Sequence, residues 1–187
     1  KNAGDSKVVM LTSSYGGADA SNYNITSQTF TQADITTRAL NITGITVANK
    51  VYDGNTSATV NTSGVNSTSM VAMGLVAGDT VTVSATGTFA DKNANTSKVV
   101  TLNSSYAGAD LANYNITSQA SATANITAKA LTISGITAAD KVYDATTNAT
   151  LNTSGVNSTS LVTMGLISGD NVTLAVTGAF ADKNANT

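Results

Sequence analysis

One internal repeat constrains this chain more than anything else in it. Residues 1–96 overlay residues 92–187 without a gap, at an offset of 91, and 65 of the 96 aligned positions are identical. Val51-Tyr52-Asp53 returns as Val142-Tyr143-Asp144, and Phe89-Ala90-Asp91-Lys92-Asn93 returns as Phe180-Ala181-Asp182-Lys183-Asn184. All six tyrosines fall into three registered pairs. The period is longer than the roughly 20–50 residues of solenoid repeats and close to the roughly 100 residues of a small β-sandwich. Each copy is therefore expected to fold as its own module, one bead of an array.

Strand parity places the module borders. Ala120, Ala122, Ala124 and Ile126 alternate with Ser121, Thr123 and Asn125, the period of a half-buried strand. After Ala130 the apolar positions switch from even to odd numbers at Leu131 and Ile133, and the earlier copy switches likewise between Ala39 and Leu40. A parity switch marks a change of face. The expected division is a C-terminal part of a module at 1–38, a complete module at 39–129, and the N-terminal part of the next at 130–187. The borders carry no Pro and no Gly/Ser run, so a short, stiff junction is expected. The chain opens at Lys1 inside the repeat and reads as an excerpt, with any targeting segment expected outside it.

Composition points to β-structure. Glu is absent, Thr and Asn abound, and no long 3.6-residue apolar stripe appears. Strands are expected near 40–47, 56–61, 69–75, 80–88, 98–104, 113–118 and 120–127, separated by Gly, Asn, Asp and Ser clusters. Seven short strands per copy imply an all-β fold of tandem immunoglobulin-like β-sandwich repeats. Asp110-Leu111-Ala112-Asn113-Tyr114-Asn115-Ile116 resembles the tyrosine corner of immunoglobulin strand F, with Ile116 in place of the cysteine. That similarity implies that Tyr114 bonds back to the backbone and that Ile116 points into the core.

The same composition excludes much chemistry. With no Cys and no His, thiolate metal centres, disulfides and histidine acid–base catalysis are ruled out. Only 11% of residues are charged and the net charge is −2, which argues against a nucleic-acid partner. No apolar run approaches the roughly 18 residues of a membrane span. Ser and Thr are plentiful but have no histidine base, so no catalytic residue is assigned and no enzyme is expected.

Lys50-Val51-Tyr52-Asp53-Gly54 and Lys141-Val142-Tyr143-Asp144, then Gly78-Asp79 or Gly169-Asp170, then Phe-Ala-Asp-Lys-Asn, then Gly-Ala-Asp-x-x-Asn-Tyr-x-Ile, form an ordered set. This set resembles the YDG-type repeat, which occurs in tandem in large bacterial surface proteins of the filamentous-haemagglutinin or adhesin kind. The resemblance implies a secreted chain at the bacterial cell surface, with an immunoglobulin-like stalk and no enzymatic activity in the repeats. Ala145 departs from it, standing where the first copy has Gly54, so a positive-φ turn is not expected in the second copy.

Candidate sites compete with plainer readings. All carboxylates are Asp; Asp19, Asp53, Asp79, Asp91, Asp110, Asp144, Asp170 and Asp182 lie in turn-like contexts, and Asx-turn chemistry outweighs structural calcium at module junctions. No other cofactor is expected. Lys50 and Lys141 are candidates for an isopeptide crosslink to an Asn, for which Asp53 or Asp144 would have to supply the neighbouring carboxylate. The chain holds 13 Asn-x-Ser/Thr sequons, and Asn24, Asn61, Asn66, Asn103, Asn115, Asn152 and Asn157 are candidate glycosylation sites. Thr80, Thr82, Ser84, Thr86 and Thr88 would line one strand face, a hydroxyl ladder that becomes Asn171, Thr173, Ala175, Thr177 and Ala179 in the second copy.

Two functions follow as expectations. The first is a structural repeat, a stalk or fibre segment that extends or builds a cell-surface filament. Its partners would be neighbouring repeats, identical chains completing residues 130–187 with 1–38 by strand exchange, and host or surface glycans bound by other regions. The second is a glycan- or surface-binding sandwich module acting through its Thr/Ser-rich face.

Overall fold

The computed structural model describes residues 1–184. Its elements in chain order are β1 (Gly4–Met10), β2 (Phe30–Ile35), β3 (Arg38–Asn41), β4 (Thr46–Val47), β5 (Lys50–Val51), β6 (Ser57–Ala58), β7 (Val60–Asn61), α1 (Ser67–Ala72), β8 (Thr82–Phe89) and β9 (Asn95–Ala107). They continue with β10 (Tyr114–Thr117), β11 (Ser121–Thr127), β12 (Thr137–Ala138), β13 (Asn148–Ala149), β14 (Leu151–Asn152), α2 (Ser158–Thr163) and β15 (Gly178–Ala179). The protein is mostly β, with helix confined to two six-residue elements and two three-residue 3-10 turns. No described helix is long and apolar enough to cross a membrane.

The chain divides into two compact units. The first gathers Lys1–Ala48, Ser57–Ala90 and Val99–Ala124; the second gathers Asn49–Thr56, Asp91–Lys98 and the described residues from Asn125 onward. Each unit holds residues from both sides of one expected module border, Arg38 in the first and Lys129 in the second.

The first unit is built on the β8–β9 hairpin, antiparallel from Thr82 opposite Ala107 to Phe89 opposite Val100. Alternation along β8 exposes Thr82, Ser84, Thr86 and Thr88 and turns Val83, Ala85 and Phe89 inward, as a period of two requires. β6 extends this hairpin on β8, β4 pairs with β7, and β10 lies parallel to β3, with Tyr114 opposite Arg38. The core centres on Leu40, Ile42, Phe89 and Val100, all but inaccessible to solvent; each such side chain contributes roughly 1.5–3 kcal/mol on burial. Gln119 behaves as a strand residue: its Oε1 accepts the Ile45 N–H at 3.0 Å and its Nε2 donates to the Ile45 carbonyl at 2.9 Å.

Two expectations are corrected here. Residues 69–75 are not a strand; helix α1 occupies most of them. Asn66 Oδ1 accepts the Ser69 N–H at 3.0 Å, and Ser69 Oγ accepts the Asn66 N–H at 3.0 Å. This reciprocal capping box satisfies donors that a helix start would otherwise leave open, and it turns Met70 into the core. Tyr114, expected to bond within its own corner, instead accepts the Val76 N–H from 38 residues upstream, at 2.9 Å. Ile116, expected in the core, is only half-buried.

In the second unit the last residues of β11 pair in parallel with β5, Ile126 opposite Lys50 and Thr127 opposite Val51. β12 pairs with β14 and β13 with β15, both antiparallel. Helix α2 repeats the device of α1, with Asn157 and Ser160 in the reciprocal cap and Leu161 buried.

Candidate functional site

The side chains that link one sequence copy to the next converge on a single carboxylate in each unit. In the second unit that carboxylate is Asp170. Gly169 precedes it at φ +93°, a left-handed conformation that favours glycine, and the Asp170 N–H closes the turn on the Ile167 carbonyl at 3.0 Å. Tyr52, from the copy before, has its backbone N–H on the Thr127 carbonyl at 2.8 Å. Its hydroxyl donates to Asp170 Oδ2 at 2.6 Å. Lys92, also from the copy before, donates to Asp170 Oδ1 at 2.9 Å and lies 5.8 Å from the Tyr52 ring centre.

Both oxygens of Asp170 are thus engaged by donors, and the anion is stabilised. The Tyr52 hydroxyl first, and the Lys92 ammonium second, hold the Asp170 carboxyl below its usual range. The same contact, chiefly with Asp170, raises Lys92. Beside the joint an open cleft of about 300 Å³ is lined by Tyr52, Lys129, Leu131, Ile167, Asp170 and Val172.

The first unit makes the equivalent bridge 91 residues earlier. Asp79 follows Gly78, again at φ +93°, and accepts from Lys1 at 3.0 Å on Oδ1. Lys1 also stands 3.6 Å from Asp110. Here the tyrosine differs: Tyr114 donates to Asp79 Oδ2 at 2.8 Å. Its hydroxyl therefore both accepts from Val76 and donates to Asp79. The Asp79 carboxyl is lowered by Tyr114 first and Lys1 second, whereas burial raises the Tyr114 phenol. Sequence reasoning treated Gly-Asp as a turn and gave the Lys of Phe-Ala-Asp-Lys-Asn no role. The available signal was the repetition of both motifs in register with the Tyr-Asp motif.

The other candidates are placed as follows. Lys50 Nζ lies 2.7 Å from Asp53 Oδ1 and 2.9 Å from Asn55 Oδ1, so the three groups of the crosslink idea do meet. Lys50 nevertheless keeps Asp53 below the normal carboxylate range, while amide formation needs a protonated acid beside a neutral amine. In the second copy Thr146 replaces the Asn, and Lys141 bonds Asp144 at 2.8 Å, holding that carboxyl down at about 2. The turn there contradicts expectation: Ala145 adopts φ +61°, close to the +79° of Gly54. The Asp144 carboxylate fixes this loop by accepting the Thr146 N–H at 3.0 Å and its hydroxyl at 2.9 Å.

All seven candidate glycosylation residues, Asn24, Asn61, Asn66, Asn103, Asn115, Asn152 and Asn157, are exposed. Four of them have local backbone work. Asn61 and Asn152 accept the N–H two residues on, at 2.8 and 2.9 Å, and Asn66 and Asn157 cap the helices. No three metal-ligating side chains gather among the described residues. On the hydroxyl face, Ser84 and Ser105 bond each other at 2.7 Å, and Thr82 donates to the Ala107 carbonyl at 3.1 Å.

A family model, described as the YDG domain, matches residues 36–124 and again residues 127–187. Comparison with curated proteins and with solved structures gives no significant match.

Proposed function

The chain belongs to the YDG domain family, and from that premise we propose that it is a structural repeat segment of a secreted bacterial surface adhesin, extending a stalk or filament at the cell surface. Its copies act as spacers and have no catalytic role. The observation that carries this reading is the recurrence of one joint: Lys1 on Asp79 and Lys92 on Asp170 are the same bridge, repeated at an offset of 91 residues. A device that recurs once per copy adds length by simple addition, since every further copy brings its own lysine, tyrosine and Gly-Asp turn.

Each copy is taken as an immunoglobulin-like β-sandwich module, complete at 39–129, whose partners are the neighbouring repeats. The buried–exposed alternation along β8 and β9 supports a two-faced sheet. The test is direct. Chains of two, four and eight copies, imaged by electron microscopy, should lengthen in proportion to copy number at a constant subunit count. Dimensions that instead grow like those of a flexible coil would overturn the spacer reading.

The rival, a glycan-binding module, would use the exposed Thr82, Ser84, Thr86 and Thr88. Those hydroxyls partly satisfy one another, and Ala175 and Ala179 interrupt the row in the second copy. Binding to a glycan array by the 187-residue chain would favour that rival.

A further inference from the structure

We propose that the 187-residue chain docks head to tail with a second copy of itself, the strand at 173–180 of one molecule adding to the open edge of β1 in another. The inference rests on the repeat register alone and does not depend on the spacer reading.

In the first unit β9 is flanked on one edge by β8. Its counterpart 91 residues earlier, β1, pairs only with β2. Likewise β8 pairs with both β6 and β9, whereas β15, the counterpart of its end, pairs only with β13. Two backbone edges are therefore open, and each is the kind of edge that the other covers where the repeat is complete.

The side chains agree. Val100 is inaccessible, while its counterpart Val9 is 40% exposed; Tyr114 is 8% exposed and Tyr23 71%; Phe89 is 2% exposed and Phe180 39%. Val9 and Tyr23 lie on the β1 side, and Phe180 on the 173–180 side. Both sets are exposed in the same chain, so neither covers the other, and the occupant that fits each is the opposite set from a second molecule.

The register is fixed by the observed one. Phe89 opposite Val100 becomes Phe180 opposite Val9, Thr88 opposite Thr101 becomes Ala179 opposite Met10, and the parallel pair Tyr114–Arg38 becomes Tyr23 beside Lys129. The β1 and 173–180 surfaces differ from each other, so the contact is heterologous and propagates rather than closing as a symmetric dimer.

The test uses the full chain and two surface variants, Val9→Asp and Phe180→Asp. Both positions are exposed, so circular dichroism should confirm unchanged folding. In sedimentation velocity the unaltered chain should form concentration-dependent multimers, each variant alone should remain monomeric, and their equimolar mixture should stop at a dimer. A monomeric unaltered chain, or a mixture that stays monomeric, overturns the proposal. Because the chain lacks cysteine, a second measurement is available. The double variant Met10→Cys/Ala179→Cys should oxidise to a ladder of covalent multimers, whereas Ser14→Cys/Ala179→Cys should not. Equal ladders from both, or an intrachain bond in the first, would equally overturn it.

Discussion

At residue 145 the backbone is held at φ +61° by a residue with a Cβ, while the first copy makes the same turn with Gly54 at φ +79°. A left-handed conformation costs an L-residue roughly 1–2 kcal/mol, and glycine returns part of that difference through its freer unfolded chain. Ala145→Gly should therefore stabilise the protein by about 0.5 kcal/mol, read as a higher urea midpoint at unchanged slope. The reverse change, Gly54→Ala, should cost about 1–2 kcal/mol. It meets the same backbone strain, and its Cβ would stand 3.0 Å from Ile167 Cγ2. If both changes leave the midpoint untouched, the turn does not carry this strain. Glycine alone was the legible signal for this turn; what the letters at 144–146 did not disclose is that Asp144, bonded to Lys141 and Thr146, can impose the geometry on alanine.

Among the elements, the long alternating strands were the most readable, because β8, β9 and β11 bury and expose successive residues over seven or more positions. Helix α1 was not readable as helix. Its six residues, Ser-Thr-Ser-Met-Val-Ala, are too few to display a 3.6-residue stripe, and Thr68 and Val71 favour strands. The deciding feature is the cap, written here as Asn-x-x-Ser instead of the more familiar Ser/Thr-x-x-Glu. Asn66-Ser67-Thr68 also has the form of a glycosylation sequon, so one asparagine offered two readings. Asn66→Ala should cost about 1 kcal/mol, with hydrogen exchange accelerated at the N–H groups of residues 67–69. Asn66→Asp, which keeps an acceptor at the cap, should restore most of the loss while abolishing the sequon. Equal destabilisation by both would show that the cap is not what holds the helix.

At the level of the whole molecule the repeat was legible in full, whereas the joint it generates was not, because Tyr52, Lys92 and Asp170 are brought together only by folding. The joint's electrostatics fix its pH window. Asp170 is depressed below 3.8, so its contribution to stability is complete above the unfolded carboxyl's range and disappears as pH falls through the folded value. Lys92 is raised above 10.5, so its contribution is complete below that range and disappears as pH rises through its folded value. Between the two limits the clasp is at full strength. Lys92 is half-exposed, so salt should screen its part, while the Tyr52 hydrogen bond, which carries no net charge on the donor, should respond little. Asp170→Asn should therefore lower Tm by a constant amount from about pH 5 to 8, and the gap from the unaltered chain should close as the solution is acidified below that interval. Lys92→Met should remove the salt dependence of Tm, and Tyr52→Phe should leave it in place. A gap between Asp170→Asn and the unaltered chain that persists undiminished to the acid limit would mean that the ionised carboxylate is not what the lysine and tyrosine grip.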